Sequence, residues 1–247
     1  MKNLSLLVIV SLAFFIGCSA SKSKKSPQLK PLTFHFAPPS TSEESNDITF
    51  GLISPMFIDS FEESQLDPFK TYAKNMENDF IAMLTARGYK IKGPFSNTEQ
   101  LVYSDKKEID LLIQPVIDLQ FTGNILKQGS THDYSTGQDY PIFFYDGELT
   151  MTGIMNLSFN EPFTNTKIMV QSLKTDPVSF KMKSYNEYAA ENIPLTDPLV
   201  WNSLSDNLTK LYGKTLQTVW NHLEPAELLQ KKAESVEIKK NSGFLKQ

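Results

Sequence analysis

Aromatic, amide and carboxylate side chains gather in one stretch of the sequence, Gly123 to Gly147, which holds His132, Asp133, Tyr134, Gln138, Asp139, Tyr140, Phe143, Phe144 and Tyr145. Flat rings that stack on the apolar patches of a sugar, beside groups that hydrogen-bond its hydroxyls, are the chemistry of a glycan or protein contact. The stretch joins two apolar strand patterns through about 25 residues, well beyond a hairpin loop, and reads as a binding loop or a mobile tip. Its candidate contacts are Tyr134, Gln138, Asp139 and Tyr140. A neutral sugar suits it better than sialate, whose carboxylate prefers a bidentate arginine. A second cluster, Asp59, Glu62, Glu63 and Asp67, lacks EF-hand spacing and is explained by the preference of acids for a helix N-terminus. No G-x-S-x-G, H-E-x-x-H or P-loop occurs, and no base stands ready beside a nucleophile. The chain is expected to bind rather than catalyse, without metal or cofactor.

Composition narrows the partners. With 28 acidic against 24 basic residues the net charge is −4, and Arg87 is the only arginine, so nucleic acid, which needs clustered cations, is excluded as a partner. The three histidines, His35, His132 and His222, are dispersed. Cys18 is the only cysteine, which rules out an internal disulfide, a thiolate cluster and a CxxC pair.

That cysteine closes the segment MKNLSLLVIVSLAFFIGC. One cation, Lys2, precedes an apolar run from Leu4 to Ile16, too short to span a bilayer and of the length of a signal h-region. Gly17 before Cys18 resembles the bacterial lipobox, although Phe15 stands where that pattern prefers Leu, Val or Ile. The expectation is a signal peptide at 1–17 and acylation of Cys18, giving a membrane partner through an N-terminal lipid anchor. Ser19 supplies no aspartate retention signal. By resemblance to Gram-negative lipoproteins, the destination is the outer membrane. Residues 18–32, rich in Ser and Lys without an apolar period, read as the acylated cysteine and a flexible tether.

The elements that must position the binding stretch belong to a single domain over 33–224. Asp67–Pro68 and Asp197–Pro198 each offer an N-cap with proline at N1. Apolar residues at helical spacing follow, Phe69 to Leu84 in one case and Val200 to Leu223 in the other, ended by Gly88 and by Pro225. Strand patterns occupy Ile48–Ile58 (broken at Pro55), Tyr89–Ile91, Ile109–Phe121, Leu149–Phe159, Lys167–Leu173 and Val178–Met182. Pro115, inside the third, implies an edge or a bulge. The fold class is α+β: a largely antiparallel sheet with two long amphipathic helices packed on one face. Residues 225–247 form a charged tail, read as a frayed helix and a loose end.

The order of these features, together with SPMF (Ser54–Phe57), RGYKI (Arg87–Ile91) and EPFT (Glu161–Thr164), resembles the neuraminyllactose-binding haemagglutinin family of Helicobacter adhesin lipoproteins over about residues 33–235. The resemblance implies an outer-membrane or flagellar-sheath location and a sialyl-glycan adhesin. The segment credited there with sialic-acid binding is rich in Lys and Arg. The corresponding stretch here, Thr122–Tyr134, has Lys127 as its only fixed cation, so no family binding residue carries over. The alternative is a periplasm-facing structural or assembly lipoprotein with an envelope protein as its partner.

Overall fold

The computed structural model describes residues 28–41, 45–191 and 193–244. Cys18 and the signal segment lie outside the described residues. The elements run β1 (Thr49–Ile53), β2 (Met56–Phe57), α1 (Phe69–Ala86), β3 (Lys90–Phe95), α2 (Tyr103–Glu108), β4 (Leu111–Thr122), β5 (Leu126–Asp133), β6 (Gln138–Asn160), β7 (Lys167–Lys174), β8 (Val178–Lys183), α3 (Pro198–Asn221) and α4 (Pro225–Asn241).

The architecture is α+β, one eight-stranded sheet carrying helices. β6 is its spine. Over 23 residues it pairs antiparallel with β4, β5, β7 and β8. The opposite margin is parallel: β1 lies between β3 and β4, and β2 extends the β1 row along β4. Alternation along β4 and β6 sends Ile113, Ile117 and Leu119, with Met151, Met155 and Phe159, into the main core. That core is closed by the stripes of α1 and α3, whose Tyr72 and Tyr212 rings meet edge to face at 5.0 Å. Gly153 occupies a position of β6 over which Leu211 of α3 passes, 3.5 Å from where a Cβ would stand, an ordinary van der Waals contact. A smaller cluster of Ile53, Leu101, Ile109 and Leu112 backs the other face.

Both prolines flagged in the strand patterns fall at one irregularity. β1 pairs with β4 as far as Leu52↔Ile113 and β2 resumes at Met56↔Val116, so the Pro55 and Pro115 segments meet where one strand carries an extra residue. There a missing N–H costs no ladder bond. β4 is therefore interior, and the bulge rather than an edge accommodates Pro115.

The helix ends follow their local chemistry. Asp197 accepts from the N–H groups of Leu199 (3.0 Å) and Val200 (3.4 Å), capping α3. It also receives Tyr185 N–H, Asn186 N–H and the Tyr188 hydroxyl, which ties the chain after β8 to the helix start. At α1 the expectation shifts by one residue: Pro68 rather than Asp67 is the N-cap, and Asp67, two residues before Phe69, accepts from the backbone and hydroxyl of Thr71. Gly88, at φ 83°, makes the left-handed turn that ends α1. The short motifs prove to be structural. Arg87 lies 4.0 Å over the Trp220 ring and Tyr89 donates to Leu223 O. Glu161, fully buried, accepts from the N–H groups of Phe163 and Thr164 within its turn.

The charged tail differs from expectation. Residues 225–241 form α4, restarted at Pro225 and docked across the end of the sheet. Leu228 enters the core, Ser235 donates to Asp110 O, and Lys239 reaches Ile109 O at 2.5 Å. Burial pulls the Lys239 ammonium below its ordinary value, against the attraction of Glu161 and Asp110. Its long stem lets a residue counted as surface charge cap a buried carbonyl. At the other end, Gln28 and Lys30, read in sequence as tether, are held on α3. Asn202 donates to Gln28 O, Trp201 Nε1–H donates to Lys30 O, and Lys30 pairs with Asp206.

Candidate functional site

The stretch 123–147, expected as a long loop, is a two-stranded antiparallel arm. All eight residues of β5 pair with β6, from Leu126↔Tyr145 to Asp133↔Gln138. The four-residue turn Tyr134–Gly137 closes it, with Asp133 accepting from Ser135 N–H (2.8 Å) and hydroxyl (2.6 Å) and Gly137 at φ 69°. Those bonds hold the Asp133 carboxyl below the usual carboxylate range. The joint with the sheet is glycine: a Cβ on Gly123, at φ 153°, would meet Glu148 O at 2.5 Å. On the other margin of β6, Phe143 exchanges backbone bonds with Tyr188. Beyond that point the ribbon stands on its own.

Cross-strand register distributes the four candidate contacts over both faces of the arm. Gln138 and Tyr140 share one face, where the Tyr140 hydroxyl donates to Gln138 Oε1 at 3.2 Å. Asp139 points to the other and pairs with His132 Nδ1 at 2.8 Å. Tyr134, at the tip, is 92% exposed and stands edge-on to the His132 ring at 4.9 Å. His132, noticed in the sequence but not among the four candidates, is thereby the centre of a His–Asp–Tyr group. The four therefore do not share one face of the arm.

A concave feature lies instead at the foot of the arm, and sequence reasoning missed it. A chamber of about 260 Å³ is walled by Phe61, Phe69, Phe121, Leu149, Val200 and Leu204, with Tyr145 and Glu63 as its polar members. Burial, and then the Glu63 charge, raise the Tyr145 hydroxyl above its ordinary value. Through Glu63, Tyr145 and Leu195 the chamber adjoins a wider mouth of about 890 Å³, edged by Leu66, Trp201 and Leu29 and by the acids Glu62 and Asp67. Three members of the acid cluster thus line a cavity opening. Neither Glu62 nor Glu63 forms an ion pair among the described residues. No described group of three His, Cys, Asp or Glu residues is arranged to hold a metal ion, and no described helix is long and apolar enough to cross a membrane.

An eight-stranded α+β sheet with a long spine strand defines the class. Within that class the chain is similar to a solved structure described as a putative neuraminyllactose-binding hemagglutinin homolog from Helicobacter pylori. The TM-score is 0.56 at 15% identity, over 82% of this chain and 99% of that one. The two share a fold. Looser matches are a protein from Xanthomonas campestris (TM-score 0.31, 8% identity, 77% of this chain and 94% of that one) and a lipoprotein from Neisseria meningitidis (0.26, 11%, 56% and 85%). No protein-family model matches the sequence, and the curated proteins searched include no match.

Proposed function

We propose that the chain is a non-catalytic binding lipoprotein, anchored through Cys18 in a Gram-negative outer membrane, that presents the β5–β6 arm to a partner in the manner of an adhesin. One observation carries this reading: a ribbon without a core of its own is built into the fold, and its tip displays Tyr134 almost fully exposed beside His132 and Asp139. An isolated two-stranded hairpin is marginal by itself, and exposed aromatics on a rigid support are the groups that anchor contacts. The fold shared with the hemagglutinin homolog supports placement among the haemagglutinin-like lipoproteins. With Lys127 its only fixed cation, the arm suits a neutral host sugar rather than sialate.

The test has two stages. Antibody against the mature domain should label intact cells, with a periplasmic protein as the integrity control. A glycan screen should then give binding that Tyr134→Ala and Tyr140→Ala abolish. A second reading, a periplasm-facing assembly lipoprotein, is favoured by the outer edge of β5. That edge pairs with no other described strand, and it could accept a strand from an envelope protein. Labelling only after permeabilisation would select this second reading.

A further inference from the structure

The chamber at the foot of the arm is aromatic and aliphatic on every wall, and its polar groups, Glu63 and Tyr145, stand on the side that adjoins the mouth. Such a cavity offers nothing to a hydroxylated ligand in its depth and does not hold water well. It suits a hydrocarbon chain entering end first. The mouth then sets the head group: Glu62, Glu63 and Asp67 surround it, and Lys30, which lies nearby on α3, is committed to Asp206. An anionic head would meet three carboxylates and an ammonium would be attracted.

The position of the mouth indicates where the chain comes from. Leu29 forms part of its rim, and the backbone on either side, at Gln28 and Lys30, is bonded to α3. The described chain begins at this rim with Gln28, and the ten residue steps from Cys18 to Gln28 can span at most ~35 Å. The opening is therefore held close to the bilayer in which Cys18 would be anchored.

We propose that the chamber binds one acyl chain of a membrane phospholipid whose head carries an ammonium group. The bilayer as source rests on the reading of Cys18 as acylated. The chamber does not.

The test feeds a diazirine fatty acid to cells producing the full chain, irradiates them, and maps crosslinks by mass spectrometry on the purified mature protein. Peptides holding Phe121 or Leu204 should carry phosphatidylethanolamine, favoured over phosphatidylglycerol by at least about fivefold after correction for bulk abundance. Leu204→Trp, which fills the chamber, should remove the label. Glu63→Lys, which leaves the apolar walls intact, should reverse the head-group preference. Crosslinks scattered evenly over the surface, or a preference unmoved by Glu63→Lys, would overturn the proposal. Chamber peptides joined to the Cys18 peptide would show the protein's own anchor inside and overturn the bilayer source. The intact mass of the same preparation reports acylation, so failure of that reading is seen separately.

Discussion

The Tyr212 hydroxyl donates to Asp79 Oδ2 at 2.5 Å, joining α3 to α1 in the middle of the core. Asp79 is 5% exposed and also accepts Phe36 N–H at 2.8 Å and faces His35 Nδ1 at 3.2 Å. One carboxylate therefore fastens both long helices and the incoming N-terminal segment. Tyr212→Phe removes a donor without opening a cavity and leaves a buried acceptor with fewer partners. A loss of about 1–3 kcal/mol is expected in urea unfolding. Asp79→Ala strips all three elements of their common acceptor and should cost more.

Asp197 gives an acid dependence. Burial opposes its charge, but the N–H groups of Tyr185, Asn186 and Val200 and the Tyr188 hydroxyl outweigh that and hold its carboxyl below the ordinary 3.8. A group depressed in the folded state contributes stability that is complete above its unfolded value and is lost as pH falls through the folded one. Urea midpoints should fall below about pH 4, and Asp197→Asn should flatten that decline. Asp197→Ala should cost on the order of 2–4 kcal/mol at neutral pH, because the helix cap and the clasp on Tyr185 go together.

The alkaline limb has the opposite sign. Burial raises the hydroxyls of Tyr72, Tyr89 and Tyr212 well above 10.0, and for Tyr212 the Asp79 hydrogen bond adds to it. Above about pH 10 the unfolded chain loses protons that the fold retains, so stability must fall as pH rises, by up to ~4 kcal/mol per unit for three such groups. Absorbance at the tyrosinate band should show Tyr72, Tyr89 and Tyr212 ionising only as the chain unfolds.

How much of this was legible depends on whether a side chain declared its environment. The Asp–Pro pairs at 67–68 and 197–198 mark helix starts because the acid and the missing N–H each answer a backbone need within a few residues. The inward alternation of β6 from Leu149 to Phe159 is equally local. The arm was not legible: β5 reads LKQGSTHD, with solvent on both faces, so nothing imposes a period of two. The parallel margin escaped because β1 finds β3 and β4 through register, not composition. The chamber could not be read at all, since its walls come from segments between Phe61 and Leu204 that meet only in the fold.

The arm also separates binding from stability. Tyr134 and Tyr140 project from a ribbon that contributes no buried side chain between Leu126 and Tyr145. Alanine at either position should leave the unfolding midpoint within about 0.5 kcal/mol of the parent, while contact residues of an aromatic hot spot lower affinity tenfold or more. Loss of binding at unchanged stability would assign the arm its role, and unchanged binding would move the search to the β5 edge.

The C-terminal helix makes the last prediction, and it runs against the sequence reading of a loose end. Removing residues from Pro225 onward would uncover the core around Leu228, free the Asp110 and Ile109 carbonyls bonded by Ser235 and Lys239, and break the pairs of Lys232 with Asp47 and Asp110. Burial of one leucine and satisfaction of two buried carbonyls together imply a loss of about 3 kcal/mol or more. A dispensable tail would show no change. Lys239→Met separates the two contributions, because it keeps an unbranched apolar stem and removes the ammonium, with its bonds to Ile109 O and Lys106 O and its place 5.9 Å from the Phe163 ring. Its cost should therefore be smaller than that of the deletion, and smaller than that of Lys239→Ala, which loses the stem as well.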